Sequence, residues 1–360
     1  MSIAADWAGG AAGFLIGAAC GYAMRAGRLC SFGALEDWIT IGDARRLKVF
    51  ALAFVIALVG TQALVVAGLL DPAHTTYVPA AVPIVGIVFG SLAFGVGMSL
   101  VGTCGLGSLV RLGGGDLRSL VVVLVFAGMA YAALRGSLNG VRIDVIERIR
   151  LPMPDGTRSD LPALIEAWSG TAGGRLAATG LLVAPLIVWI LRDRRLLRTP
   201  RMLAAGMTLG FGVVAGWAAT TLLADEFAAA RPQSLTFVGP VARAVLGLVI
   251  GAGDAAEFGA ASVFGVIAGS WIAARAKDQF HWEAFDDQRE MRRHIAGAAL
   301  MGLGGVAAGG CTIGQGLTAG SLLAVSWPFA LAGLYLGGRF GIAFILEGRL
   351  SEALRSLFSR

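Results

Sequence analysis

The sequence predicts an all-α, polytopic membrane protein, and three observations carry that prediction. Hydrophobic residues make up 56% of the 360-residue chain and charged residues only 14%, against about 25% charged in a soluble domain. Nine apolar stretches each approach the ~20 residues that a helix needs to cross a bilayer. Lys and Arg crowd some connections between these stretches and are absent from others. The mean hydropathy of +0.76 points the same way. This composition excludes a disordered chain, a disulfide scaffold and almost any water-soluble enzyme. Glycine, at 53 residues, is about twice its usual share, as expected where helices approach closely through small residues.

The nine expected spans lie near 7–24, 49–70, 82–101, 117–135, 176–191, 202–223, 256–275, 295–309 and 324–346. The eighth is short, with room to extend past its C-terminal end. The first lacks a basic leader and a cleavage site, so it is not expected to be a removable signal peptide. Arg25, Arg28, Arg45, Arg46 and Lys48 follow the first span, and Arg192, Arg194, Arg195 and Arg198 follow the fifth, whereas 71–83 holds no Lys or Arg. The positive-inside rule places the first two connections in the cytoplasm and the third outside. That gives an external N-terminus and a cytoplasmic C-terminus. The net charge of +6 then records topology, with no nucleic-acid partner expected. The long segment 136–175 becomes a small external excursion. Residues 1–360 read as one transporter domain, with halves about 1–140 and 200–350 joined by that loop and a central helix.

Four apolar, Gly-rich stretches, 25–40, 102–116, 235–254 and 310–322, are too short to cross. Backbone amides in hydrocarbon need partners, so such pieces are candidate re-entrant elements inside protein or beside a cavity.

An internal repeat links two of them. Gly90, Gly95, Gly97, Gly102, Cys104 and Gly107 recur as Gly297, Gly302, Gly304, Gly309, Cys311 and Gly314, all at an offset of 207 without a gap. The first copy follows the third span and the second follows the eighth, which face opposite sides. The halves would therefore be related by inversion, a transporter plan in which broken helices meet near the midplane. A packing seam of small residues is the alternative, and it accounts for the glycines but not for the paired cysteines.

Gly102-Thr103-Cys104-Gly105-Leu106-Gly107 and Gly309-Gly310-Cys311-Thr312-Ile313-Gly314-Gln315 combine accessible main-chain N–H groups, hydroxyls and a thiol. Successive N–H groups favour an anion, and a thiol is a weak donor that releases what it holds. Cys30, in Arg25-Ala26-Gly27-Arg28-Leu29-Cys30-Ser31-Phe32-Gly33, adds a third thiol. Its counterpart near Val238-Gly239-Pro240 or Gly251-Ala252-Gly253-Asp254 has none. Cys20, mid-span, reads as packing. With no CxxC pair and three His residues, none near a cysteine, no metal or other cofactor is expected.

The stretches around Cys30, Cys104 and Cys311, together with 258–270 and 280–294, resemble the YeeE/YedE family of bacterial sulfur-compound transporters. Gly-Gly-Cys-Thr-Ile-Gly-Gln-Gly-Leu-Thr-Ala-Gly at 309–320 is the most distinctive of them. The resemblance implies an inner-membrane importer of thiosulfate, an hourglass of spanning and re-entrant helices, and a constriction lined by Cys30, Cys104 and Cys311 that relays the anion by S–H contacts. It also implies a cytoplasmic sulfur carrier of the TusA type as partner, while relatives assigned to other sulfur or selenium compounds leave the cargo open.

Arg28 and Arg111 flank the cysteine motifs and suit either an emerging dianion or plain topology. Asp254 and Glu257 are expected to cap the seventh span, and 275–294 to form a solvated amphipathic helix. The competing functional reading is a membrane thiol enzyme that accepts sulfane sulfur as a persulfide. This needs a thiolate activated by cations, and only Cys30 has arginines close in sequence. A structural subunit whose glycines merely pack is the third.

Overall fold

The computed structural model describes residues 3–153, 157–170, 173–223, 231–250, 257–348 and 355. Each expected span is found as one long helix: α1 (Ile3–Gly27), α3 (Arg45–Val66), α4 (Ile84–Val101), α6 (Leu117–Leu134), α8 (Gly174–Leu191), α9 (Pro200–Leu222), α11 (Phe258–Arg275), α12 (Gln288–Ala307) and α13 (Ser326–Glu347). Among the described residues, eight helical segments are long and apolar enough to cross a membrane. The remaining long helix, α12, has the length to span but opens on Arg289, Arg292 and Arg293. It extends the short eighth stretch backwards rather than forwards, because that polar first part carries no hydropathy signal. The amphipathic helix expected over 275–294 is found only in part, because 288–294 opens α12 whereas 276–287 is an irregular loop. In that loop the Glu283 main chain bridges to the turn before α6, its carbonyl accepting from the Leu117 N–H at 2.8 Å and its N–H donating to the Gly115 carbonyl at 3.2 Å. The Glu283 carboxylate, with Glu290 of α12, holds Arg118.

All four short stretches contain helix: α2 (Ser31–Ile41), α5 (Gly105–Gly113), α10 (Gly239–Ile250), and a π-helical turn at Gly314–Ala319. Asp254, expected as a cap, lies outside the described residues. Glu257 does precede α11 but makes no side-chain cap; its carboxylate pairs with Arg243 at 2.7 Å and accepts from Gln233 at 3.0 Å. The excursion holds α7 (Leu161–Ser169) and a two-residue strand, Leu151–Pro152, paired antiparallel with Ala81–Val82.

The repeat glycines explain how the long helices meet. A β-carbon on Gly90 would lie 2.7 Å from the Gly304 carbonyl oxygen, and one on Gly304 would lie 2.6 Å from that of Gly90. Gly97 and Gly297 face each other in the same reciprocal way, at 2.6 and 2.7 Å. Gly95 abuts Leu334 of α13 at 2.6 Å, and its twin Gly302 abuts Phe126 of α6 at 2.7 Å. These six glycines therefore seat helix on helix and do not face a ligand. Exchanging α1 with α9, α2 with α10, α3 with α11, α4 with α12, α5 with the π turn and α6 with α13 carries the principal contacts of one set onto those of the other. α8 has no twin and packs on α3 and α7.

A second seam joins α1 to α11. Gly13, Gly17 and Gly21, one turn apart, lie against the carbonyls of Phe258, Ser262 and Val266. At the opposite corner, the turn into α3 is fixed by Asp43, whose carboxylate takes the Arg45 backbone and guanidinium N–H groups and is thereby lowered to about 2.

Gly17→Val is expected to force α1 and α11 apart and to lower stability by about 1–3 kcal/mol, as overpacking does. Gly128→Ala, at a position with nothing within 4 Å, is expected to be neutral. Thermal unfolding of the two purified variants in detergent checks the pair.

Candidate functional site

Each of three cysteines stands immediately before a short helical segment, with a glycine three residues on. Cys30 precedes α2 and Gly33, Cys104 precedes α5 and Gly107, and Cys311 precedes Thr312 and Gly314. The first N–H groups of a helix have no partner within it. At α5 the Gly107 N–H donates to Cys104 Sγ at 3.4 Å, and in the twin segment the Gly314 N–H donates to Cys311 Sγ, also at 3.4 Å. Two thiols thus accept a helix-end donor where Ser or Asp would ordinarily serve. Cys30 makes no such bond.

The chain breaks that create these helix ends depend on glycine. Gly102 ends α4 with φ 76, and Gly309 follows α12 with φ 73, the left-handed conformation that a side chain strains. Arg111 Nη2 donates to the Gly102 carbonyl at 2.8 Å, and Gln315 Nε2 donates to the Ala308 carbonyl at 2.6 Å. Both side chains satisfy carbonyls left over at a helix end.

Hydroxyls tie the segments together. Thr103 Oγ1 is 3.6 Å from Cys30 Sγ, and Ser31 Oγ is 3.2 Å from Thr312 Oγ1. A β-carbon on Gly107 would collide with the Thr103 hydroxyl and come within 3.6 Å of Cys30 Sγ. Cys30, Thr103 and Cys104 therefore share one small space around Gly107. Ser31 and Thr312 link it to Cys311. Cys104, Cys311 and Thr103 are fully buried, whereas Cys30 is only partly so.

Of the residues expected at the site, the thiols, Thr103, Thr312, Gly107 and Gly314 come together. Gly102 and Gly309 shape the breaks, and a β-carbon on Gly310 would lie 3.2 Å from the Gln315 backbone nitrogen. A β-carbon on Gly105 would meet only ordinary contacts, the nearest being Phe126 and the Phe237 carbonyl at 3.6 Å. Arg28 lies apart from this centre, lining a cavity at the basic end of the bundle. Cys20 faces α9, donating to the Thr208 carbonyl at 3.8 Å.

Sequence reasoning missed three contributors. The Thr236 and Tyr77 hydroxyls crowd Gly314, where the first half has Thr103 and Cys30 at Gly107. Both also line a cavity of about 370 Å³ with Gly309, Gly310, Arg231 and Arg243. Thr236 stands two residues from the cysteine-free Val238, so that counterpart offers oxygen where Cys30 offers sulfur. Tyr77 lies in a loop with no pattern to mark it. Arg46, the third, reaches back from the start of α3 to α2, where it pairs with Asp37 at 3.2 Å. Among the described residues, no group of His, Cys, Asp and Glu could hold a metal ion.

The Sulphur transport family matches residues 26–340 of this chain. The chain is also similar to two proteins named Thiosulfate transporter TsuA. That of Escherichia coli (strain K12) is 27% identical over 356 residues, covering 93% of this chain and 91% of the relative. That of Spirochaeta thermophila is 24% identical over 342 residues, covering 94% and 99%.

The four thiols differ in access, and reaction with a thiol reagent follows access and thiolate character. N-ethylmaleimide is expected to modify Cys30 first in the folded protein, with Cys20, Cys104 and Cys311 reacting only on denaturation. Peptide mass spectrometry over a time course reads this directly, and early labelling of Cys104 would contradict the packing described.

Proposed function

Since the chain belongs to the Sulphur transport family, we propose that it imports thiosulfate through the cluster of Cys30, Cys104 and Cys311. The observation that carries this reading is the meeting of three helix-leading thiols and their partner hydroxyls in one centre, buried at Cys104 and Cys311 and partly open at Cys30. Both TsuA relatives are called thiosulfate transporters, and their near full-length coverage supports the same cargo here.

The chemistry follows from the donors available. An entering dianion must give up part of its hydration, and the centre offers S–H groups of Cys30, Cys104 and Cys311 and O–H groups of Thr103, Ser31 and Thr312. The Gly107 and Gly314 N–H groups stay on the Cys104 and Cys311 sulfur atoms and leave their S–H protons free to donate. Each thiol is a neutral, weak donor, so an ion can pass from one to the next. A site on a conduction path must bind strongly enough to admit its ion and weakly enough to release it. No covalent step is needed. The two crossed sets of helices read as inverted halves, about 1–140 and 200–350, and the exchange of contacts between them supports that reading. The basic end, with Arg25, Arg28, Arg46 and Arg201, is then cytoplasmic, the N-terminus external, and the bilayer the bacterial inner membrane. A small sulfur carrier of the TusA type would take the product on the basic side.

Cys104→Ala and Cys311→Ala are each expected to cut labelled-thiosulfate uptake into proteoliposomes at least about tenfold, the loss of roughly one hydrogen bond's worth of transition-state stabilisation, at unchanged protein level. Uptake at the wild-type rate in both would sink the proposal. Sulfate and selenite as competitors define the cargo.

The persulfide alternative makes an opposite forecast. After exposure to thiosulfate the intact mass is expected to stay unmodified, and a stable 32-Da adduct, roughly one sulfur atom on a thiol as in the persulfide state, would move the assignment to a thiol enzyme.

A further inference from the structure

A cavity of about 590 Å³ opens at the basic end, where the C-terminus of α1, the start of α3, the start of α9 and the turn after α11 converge. Five of its lining residues are cations, Arg25, Arg28, Arg46, Arg201 and Lys277, and none is acidic. Such a concentration exceeds what topology alone asks for, because these charges come from four separate elements and face one space.

The cations are not equivalent. Arg25 and Lys277 act as staples: Arg25 Nη2 donates to the Gln279 carbonyl at 3.1 Å, and Lys277 Nζ donates to the Ala26 carbonyl at 3.1 Å. Their charge stays in the cavity wall while their geometry is fixed. Arg28 and Arg201 are exposed and, among the described residues, form no ion pair. Arg28 also occupies a left-handed backbone position, φ 52, just past the end of α1. At Gly42, Gly102, Gly170, Gly309 and Gly348, past other helix ends, glycine takes that conformation, while Asp278 past α11 and Leu323 take it with a side chain as Arg28 does. Here a charged side chain takes the position where glycine would be unstrained.

Arg46 joins the cavity to the thiols. Its Nη1 lies 2.9 Å from where a Gly33 β-carbon would be, and the Cys30 β-carbon is 3.6 Å from that same point. Arg46 also holds Asp37 at 3.2 Å, so an anion arriving at the cavity competes with one carboxylate for one guanidinium. Guanidinium groups bind tetrahedral oxyanions through paired N–H donors, and a one-signed recess concentrates multivalent anions in preference to chloride.

We propose that this cavity is a second oxyanion site, built from Arg28, Arg46 and Arg201, through which a divalent oxyanion on the basic side occupies the exit and slows transport. The proposal rests on the thiosulfate reading for its transport readout, whereas binding is measured without it. The shared chemistry is a tetrahedral oxyanion, free in solution. Bound there, it neutralises the charge that would receive the next ion from Cys30, and uptake falls although the thiol centre is untouched.

The experiment uses the full chain in two formats. In neutral detergent, sodium sulfate is expected to raise the melting temperature above that in sodium chloride at equal ionic strength. Arg28→Gln/Arg201→Gln is expected to weaken sulfate binding by about tenfold, as loss of a charge-assisted contact does. In proteoliposomes of phosphatidylcholine, sulfate enclosed on the basic side is expected to slow thiosulfate entry, and the ratio of rates with sulfate and with chloride inside should approach unity in the double variant. A wild-type ratio already at unity, or equal thermal shifts in wild type and double variant, overturns the proposal. Loss of the sulfate effect when phosphatidylglycerol is added assigns the cavity to lipid headgroups and overturns it as well. Absence of thiosulfate entry in every liposome, with the sulfate shift intact, tells against the cargo and leaves the site standing.

Discussion

The structure depends on backbone approaching backbone where α4 crosses α12. Gly90 and Gly97 meet Gly304 and Gly297 with each carbonyl under 3 Å from where the partner's β-carbon would stand. No residue with a side chain fits there without shifting a helix. That contact sets how near the breaks after α4 and α12 lie to one another, and the breaks carry Cys104 and Cys311. Polar backbone at such a break is tolerated in a membrane only when protein supplies its partners. Here the partners are supplied locally: Arg111 and Gln315 take carbonyls, and the two thiols take N–H groups. Fold and site are therefore one problem. The glycines that seat the helices also fix the spacing of the sulfur atoms.

The two halves share a plan but differ in chemistry. Around Gly107 the neighbours are the Thr103 hydroxyl and the Cys30 thiol, and around Gly314 they are the Thr236 and Tyr77 hydroxyls. A hydroxyl is a stronger donor than a thiol and is harder to desolvate. On the proposed pathway an anion moving from the Tyr77 side toward Cys30 meets Cys311 with two hydroxyls, then Cys104 with one hydroxyl and a second thiol, and then the arginines of the basic end. That ordering grades the donors along the proposed pathway, while the net direction follows the electrochemical gradient of the anion.

Much of this is legible in the sequence, for physical reasons. Hydropathy marks helices that face lipid, so the spans stand out. A gapless offset of 207 survives because inserting a residue in a packed helix rotates everything after it. Local spacing also marks α2, α5, α10 and the segment after Cys311. What escapes depends on contacts across the fold. The repeat glycines are open to two readings, and Gly90, Gly95 and Gly97 with their twins prove to be packing surfaces; only the pairs at 102, 107, 309 and 314 border the breaks and thiols. Arg111 looks like an anion receptor because it follows a cysteine motif, yet its guanidinium closes a helix end. Tyr77 and Thr236 carry no motif, and only the folded chain brings them to Gly314. The polar beginning of α12 reads as loop because charge hides a helix from a hydropathy window.

The distribution of cations also bears on why thiols occupy the centre. A guanidinium 4 Å from a single negative charge is worth about 4 kcal/mol at an effective dielectric of 20, or about a thousandfold in residence time. Against a dianion, an uncommitted arginine in the constriction would make it a trap. The two arginines nearest the thiols are both committed, Arg46 to Asp37 and Arg111 to the Gly102 carbonyl. The uncommitted ones, Arg28 and Arg201, stand in the cavity at the basic end, where water screens their charge. On the proposed pathway, neutral donors at the thiols and cations at the basic end would lower the desolvation barrier without deepening the well beyond it. A lysine in place of Cys104 would invert that order.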